Sequence, residues 1–242
     1  MKWMFIPLFW ACFSVSWAQD FDFNLDSLTP EASYLQESVE LMLIREQSRA
    51  ESREMKLTAL ANIGAAISRG VIGGEVLGAL EYLGLEGTVR RTAFKNRLGY
   101  PDVRSKAAMY LGDLGTPEAY NVLMRMAGAE FESTVLTEIV TALKKSGLNE
   151  NQKTVTAITG ILHRFDMFSP DNFLALSGLE AYETFAEQNG WKLDRDSMLV
   201  ISRIADGRYH GRIRQRARDL LAQLRMYRPS AGSGGPDYRG LP

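Results

Sequence analysis

The fold class this sequence predicts is all-α, a solenoid built by repeating one helix pair, and three observations predict it. Residues 101–119 read as a helix, a tight corner and the start of a second helix. Partial copies of that stretch recur on both sides of it. Hydroxyl-proline pairs, a device for opening helices, stand at Thr29-Pro30, Thr116-Pro117 and Ser169-Pro170.

In the central stretch Val103, Ala107, Leu111 and Leu114 fall at spacings of four, four and three, so they share one apolar helical face. Ala107 and Ala108 are small enough for a neighbouring helix to approach closely, and Gly112 and Gly115 mark where the helix thins and stops. Thr116 supplies an N-cap hydroxyl, and Pro117 opens the next helix, whose apolar positions Ala119, Tyr120, Val122, Leu123 and Met126 run to Gly128. Val135, Ile139, Leu143 and Gly147 repeat the first helix 32 residues on, with Leu136 in place of Arg104. Ser52-Arg53, followed by Leu57, Leu60, Ile63 and Gly64, gives a weaker copy 51 residues before, which equates Arg53 with Arg104. Val89-Arg90-Arg91-Thr92-Ala93 is a further match, and Ile213-Arg214-Gln215-Arg216-Ala217 with Leu220, Leu221 and Leu224 is the last. Such spacings fit degenerate arrays of helical repeats.

This pattern resembles the HEAT repeat, whose first helix commonly opens Pro-x-Val-Arg-x-x-Ala-x-x-x-Leu-Gly and whose second follows a short Gly/Pro corner. The resemblance spans roughly residues 50–227 and is closest at 101–119. It implies antiparallel helix pairs stacked into a right-handed α-solenoid, with the usual role of holding another macromolecule on its surface. It also implies an alternative, because a subset of HEAT-like proteins are enzymes, and here that would mean a lyase or hydrolase.

Residues 1–18 read as an export signal: Lys2, an apolar run from Trp3 to Val15, and Ser16-Trp17-Ala18 with small residues where a signal peptidase inspects. The run is too short for a membrane span, and no later stretch reaches the roughly 20 apolar residues one requires. The expected protein is therefore exported, soluble and periplasmic, with no transmembrane span after cleavage. The alternative is a lipoprotein anchored through Cys12, where Phe9-Trp10-Ala11 puts aromatic residues in place of the small and aliphatic ones of a lipoprotein box. Cys12 is the only cysteine, so cleavage after Ala18 leaves no disulfide and stability rests on packing.

Residues 19–30 form an acidic, aromatic arm without sustained period, and 31–228 the repeat domain. Its first helix is expected to bury Tyr34, Leu35, Val39, Met42 and Leu43. Gly70-Val71-Ile72-Gly73-Gly74 lacks the Lys-Ser/Thr of a phosphate loop and reads as a corner between helices. The partner helix of the second copy runs from about Glu150 to Phe165, a longer one from Pro170 to Gln188, and a short one from Asp194 to Ala205. Residues 229–242 have the composition of a flexible, unstructured tail, within which Tyr238 to Leu241 offers a docking peptide as the alternative.

The inventory for catalysis is thin. His163 and His210 are the only histidines and sit in no metal-ligand spacing, His163 reading as a packing or helix-end residue and His210 as a loop residue. Glu180, Glu183 and Glu187 share a helical face but read as a solvated row. No catalytic residue, cofactor or metal ligand is assigned, and a net charge of −1 gives no reason to expect nucleic acid. The charge is nevertheless unevenly spread. Residues 20–54 carry nine acids against three arginines, while residues 203–228 carry eight arginines against Asp206 and Asp219. The candidate partner-binding residues are therefore Arg208, Arg212, Arg216, Arg218 and Arg225. Three readings of this basic end stand side by side: a charged cap on the array, a surface for an anionic partner such as an acidic protein or an envelope polymer, and salt-sensitive end-to-end self-association. The function expected is that of a non-catalytic scaffold or adaptor for protein partners in a cell-envelope assembly.

Overall fold

A computed structural model describes residues 30–71, 73–86, 99–168 and 170–227. The export signal, the acidic arm up to residue 29, the Val89 to Ala93 match, Ser169 and the tail from 228 lie outside the described residues. Every regular element among the described residues is helical: α1 (Pro30–Arg49), α2 (Arg53–Ser68), α3 (Gly74–Leu85), α4 (Pro101–Leu114), α5 (Pro117–Ala129), α6 (Ser133–Ser146), α7 (Lys153–Phe168), α8 (Asn172–Gln188), α9 (Arg195–Asp206) and α10 (Gly211–Met226). No helix among them is long and apolar enough to cross a membrane. The chain divides into two compact units, Met1–Glu37 and Ser38–Pro242. Of the first, residues 30–37 are described, the opening turns of α1; the second holds the rest of α1 and α2 to α10.

Local chemistry sets several of the boundaries. Thr116 accepts a hydrogen bond from the Ala119 N–H at 3.2 Å, with Pro117 as first residue of α5. Gly115 and Gly147 end α4 and α6 in the left-handed conformation, at φ 61° and 65°, where a side chain is disfavoured. Asp194 caps α9 through the Ser197 N–H. At α8 the expected hydroxyl-proline start gives way to Asp171, whose carboxylate accepts from the N–H groups of Phe173 and Leu174. Those are two of the free donors of the first turn, and Pro170 is left outside the helix.

From α2 to α10, helices touch only those one or two along in the chain. The even-numbered helices α2, α4, α6, α8 and α10 form one row, and α3, α5, α7 and α9 another. The α4–α6 contact is the most extensive. Gly112 permits it, because a Cβ there would lie 2.8 Å from the Cα of Ala142 on α6. The core follows the rows: Ala107, Ala108 and Leu111 of α4, Ile139 and Leu143 of α6, and Leu179 and Tyr182 of α8 are all buried. Surface ion pairs also join helices two apart, including Lys145 with Asp113 and Lys144 with Glu180, both at 2.6 Å, and Arg125 with Glu81 at 2.6 Å. Arg53 pairs with Asp102. Burial pushes the Asp102 carboxyl up, but the hydrogen bond and charge of Arg53 outweigh it and hold it below its ordinary value.

Two expectations about packing are overturned. In α1 the apolar residues Leu35, Val39, Met42 and Leu43 are exposed, while the side chain of Tyr34 lies outside the described ones. The buried residues of the helix are instead Ile44 and Ser48, and it is joined to α2 by bonds from Asn62 to Gln47 and from Arg69 to Glu40. Periodicity defines an apolar face but not what covers it, and α1 has apolar residues on more than one side. In α2 the position of Arg104 is taken by Lys56, not Arg53. Each is the fourth residue of its helix and buried, at 2% and 6% exposure, whereas Arg53 is exposed.

Candidate partner-binding surface

The basic end is assembled from α8, α9 and α10. Between α9 and α10 the chain turns through Gly207, Arg208 and Tyr209, with Tyr209 buried. Gly207 is required by space: a Cβ there would sit 2.6 Å from the Arg203 carbonyl oxygen. His210 is not simply a loop residue, because its Nδ1 accepts from the Arg212 N–H and so caps α10. Its own N–H donates to Asn172 Oδ1 at 2.9 Å, tying the turn to the start of α8. At the far end of α10, Tyr227 stacks on Trp191 with ring centroids 4.9 Å apart.

Ile213, Ala217, Leu220 and Leu224 are the buried stripe of α10, and the arginines are divided by it. Arg216 pairs with Glu183 of α8 on one flank. Arg218 donates to the Ala205 carbonyl in the last turn of α9 at 3.1 Å on the other, where a cation meets the negative end of that helix. These two of the five predicted residues are thus engaged within the chain. Arg208, Arg212 and Arg225 are exposed and form no ion pair with any described residue. The five side chains therefore do not converge on one face.

Two groups reasoned over in the sequence stand differently in the structure. The row on α8 is not merely solvated: Glu180 meets Lys144 of α6 and Glu183 meets Arg216 of α10. His163 is exposed on α7, not packed. What sequence reasoning missed is a pair of cation-carboxylate clamps in which the cation is buried, with the carboxylate buried in one and half-buried in the other. Arg104 Nε donates to Glu130 Oε2 at 2.6 Å and its Nη2 to Oε1 at 3.3 Å, while Oε1 also accepts from the N–H groups of Phe131 and Glu132. Lys56 pairs with Glu86 and lies 5.9 Å and 5.8 Å from the ring centres of Tyr82 and Tyr100. In both clamps the acid is the residue just past the next helix, Glu86 after α3 and Glu130 after α5. The signal in the sequence is a cation at the fourth helical residue with a glutamate closing the following helix.

Three hydroxyls form a separate buried chain, Tyr182 to Thr159 at 2.8 Å and Thr159 to Ser197 at 2.9 Å, which joins α8, α7 and α9. Burial pushes the Tyr182 phenol well above its ordinary value. A phenol so disposed holds its proton and serves the packing of three helices.

The described residues define an all-helical fold with arginines displayed from a braced end. Comparison with protein families, characterised proteins and solved structures finds no match for the chain.

Proposed function

We propose that the chain is a non-catalytic scaffold, a right-handed α-solenoid of HEAT-like helix pairs exported to a bacterial envelope, which holds an acidic protein partner at its basic end. The observation that carries the reading is the state of Arg208, Arg212 and Arg225: exposed, without an ion pair to any described residue, and mounted on a frame braced by the His210 cap and the Trp191–Tyr227 stack. Unpaired cations on a rigid frame attract an acidic surface at range and lose little entropy on contact. The alternation of helix contacts supports the solenoid, since each helix leans only on its near neighbours.

The test is cross-linked co-purification from the native envelope, with the wild-type chain and with Arg208, Arg212 and Arg225 all changed to Glu. A defined protein recovered with the first and lost with the second is the expected result. Equal recovery with both, or turnover of a small substrate by the purified chain, overturns the reading.

A further inference from the structure

Arg214 is the fourth residue of α10, as Lys56 is of α2 and Arg104 of α4. The other even-numbered helices carry Leu136 and Ala175 there, so a cation occupies this place three times. Twice it is closed by the glutamate that follows the next helix. The third time it is not: among the described residues Arg214 forms no ion pair, and its enclosed Nε finds no hydrogen-bond acceptor. An enclosed donor without an acceptor is rare and costly in a native fold.

At the other end stands the complementary half. Glu51 lies two residues past the end of α1, much as Glu86 follows α3 and Glu130 follows α5. The cation that such a glutamate closes on belongs to the helix before, and α1 is the first helix described. Glu51 is exposed and forms no ion pair with any described residue. On the helix that precedes it, Val39, Met42 and Leu43 are turned to solvent, at 56%, 57% and 50% exposure, an apolar stripe of the kind that marks a contact surface. The phase is also right: the helix to follow α10 would be odd-numbered, and α1 is the odd-numbered helix with a face that no described residue covers.

We propose that copies of this chain associate head to tail, α1 of one copy packing beside α10 of the next so that Glu51 closes on Arg214. The contact joins two different surfaces, so it repeats without closing on itself and yields a linear assembly. It does not depend on the partner proposed for Arg208, Arg212 and Arg225, and its failure would leave that reading intact.

The experiment is sedimentation velocity of the full chain across a concentration series, at low salt and at high salt, with three samples: wild type, Glu51→Arg, and Arg214→Glu. Circular dichroism melts establish that each variant is folded. Wild type is expected to form species larger than a dimer at low salt and to dissociate as salt rises. Each reversal weakens association by at least about tenfold, because it sets like charges opposite one another. Mixing the two variants restores it, since the two reversed charges are complementary at one contact and the native pair re-forms at the next. Glu51 is exposed, so Glu51→Arg alone keeps the test valid if Arg214→Glu does not fold. A wild-type chain that stays monomeric at every concentration, or a Glu51→Arg chain that assembles as wild type does, overturns the proposal.

Discussion

Arg104 shows how a residue legible as part of a repeat acquires its physical role only from a partner 26 positions away. Its guanidinium is held by both oxygens of Glu130, and one of those oxygens also accepts from two backbone N–H groups. The pair is buried, so neither charge tolerates the loss of the other. Glu130→Ala should cost about 3–5 kcal/mol, the range for stranding a buried charge. Arg104→Met combined with Glu130→Gln should cost less than Glu130→Ala alone, since the amide oxygen still accepts from the backbone. Urea unfolding of the wild type and the two variants measures this, and equal losses would show that the clamp is not the source. Tyr182 makes a prediction in the alkaline range. Its phenol ionises in the unfolded chain near the ordinary value and in the folded chain only well above it. Its contribution is therefore complete below about pH 10 and lost progressively above it. Tyr182→Phe should destabilise at neutral pH by about 1 kcal/mol, through the lost bond to Thr159, and should flatten the decline above pH 10. Melting temperatures from about pH 7 to about pH 11 test both parts.

At the scale of the element, what could be read from the sequence is what neighbouring residues decide. The Thr116 cap and the glycine stops at Gly115 and Gly147 are decided within a few residues, and each stands where the sequence puts it. The face of α1 was not legible, because Val39, Met42 and Leu43 have the spacing of a buried stripe and only the absence of a covering helix among the described residues distinguishes them. Lys56 was missed for a related reason: the motif names arginine, and Arg53 lies three residues away on a nearly adjoining face. The division of the arginines on α10 depended likewise on Glu183 and Ala205, which come from two other helices. Two glycines put the helix contacts to a quantitative test with opposite signs. Gly112→Val drives a branched side chain against the backbone of α6 and should cost about 1–3 kcal/mol or more. Gly128, in α5, faces open space with nothing within 4 Å of an added Cβ, and Gly128→Ala should stabilise by about 0.5–1 kcal/mol. Chemical denaturation of the two variants separates a glycine needed for approach from one that is only tolerated.

At the scale of the molecule, the sequence announced repetition and helices, and the contacts among α2 to α10 are as local as repetition requires. A chain in which every helix leans only on those one or two along has no single centre whose loss is felt everywhere. Its stability is then close to a sum of helix terms and neighbour terms, and damage should spread a limited distance. Ile204 of α9 is fully buried and α9 touches only α7, α8 and α10, so Ile204→Ala removes about 2–5 kcal/mol from one end of the rows. Leu111 of α4 is equally buried, but α4 touches α2, α3, α5 and α6, and Leu111→Ala weakens the middle. Native-state hydrogen exchange resolved by peptide should therefore show Ile204→Ala losing protection in α9 and α10 while α4 and α6 keep theirs, and Leu111→Ala lowering α4, α5 and α6 together. Uniform loss of protection from α2 to α10 in both variants would mean that the rows fold and unfold as one cooperative body, with coupling that nearest-neighbour contacts do not supply.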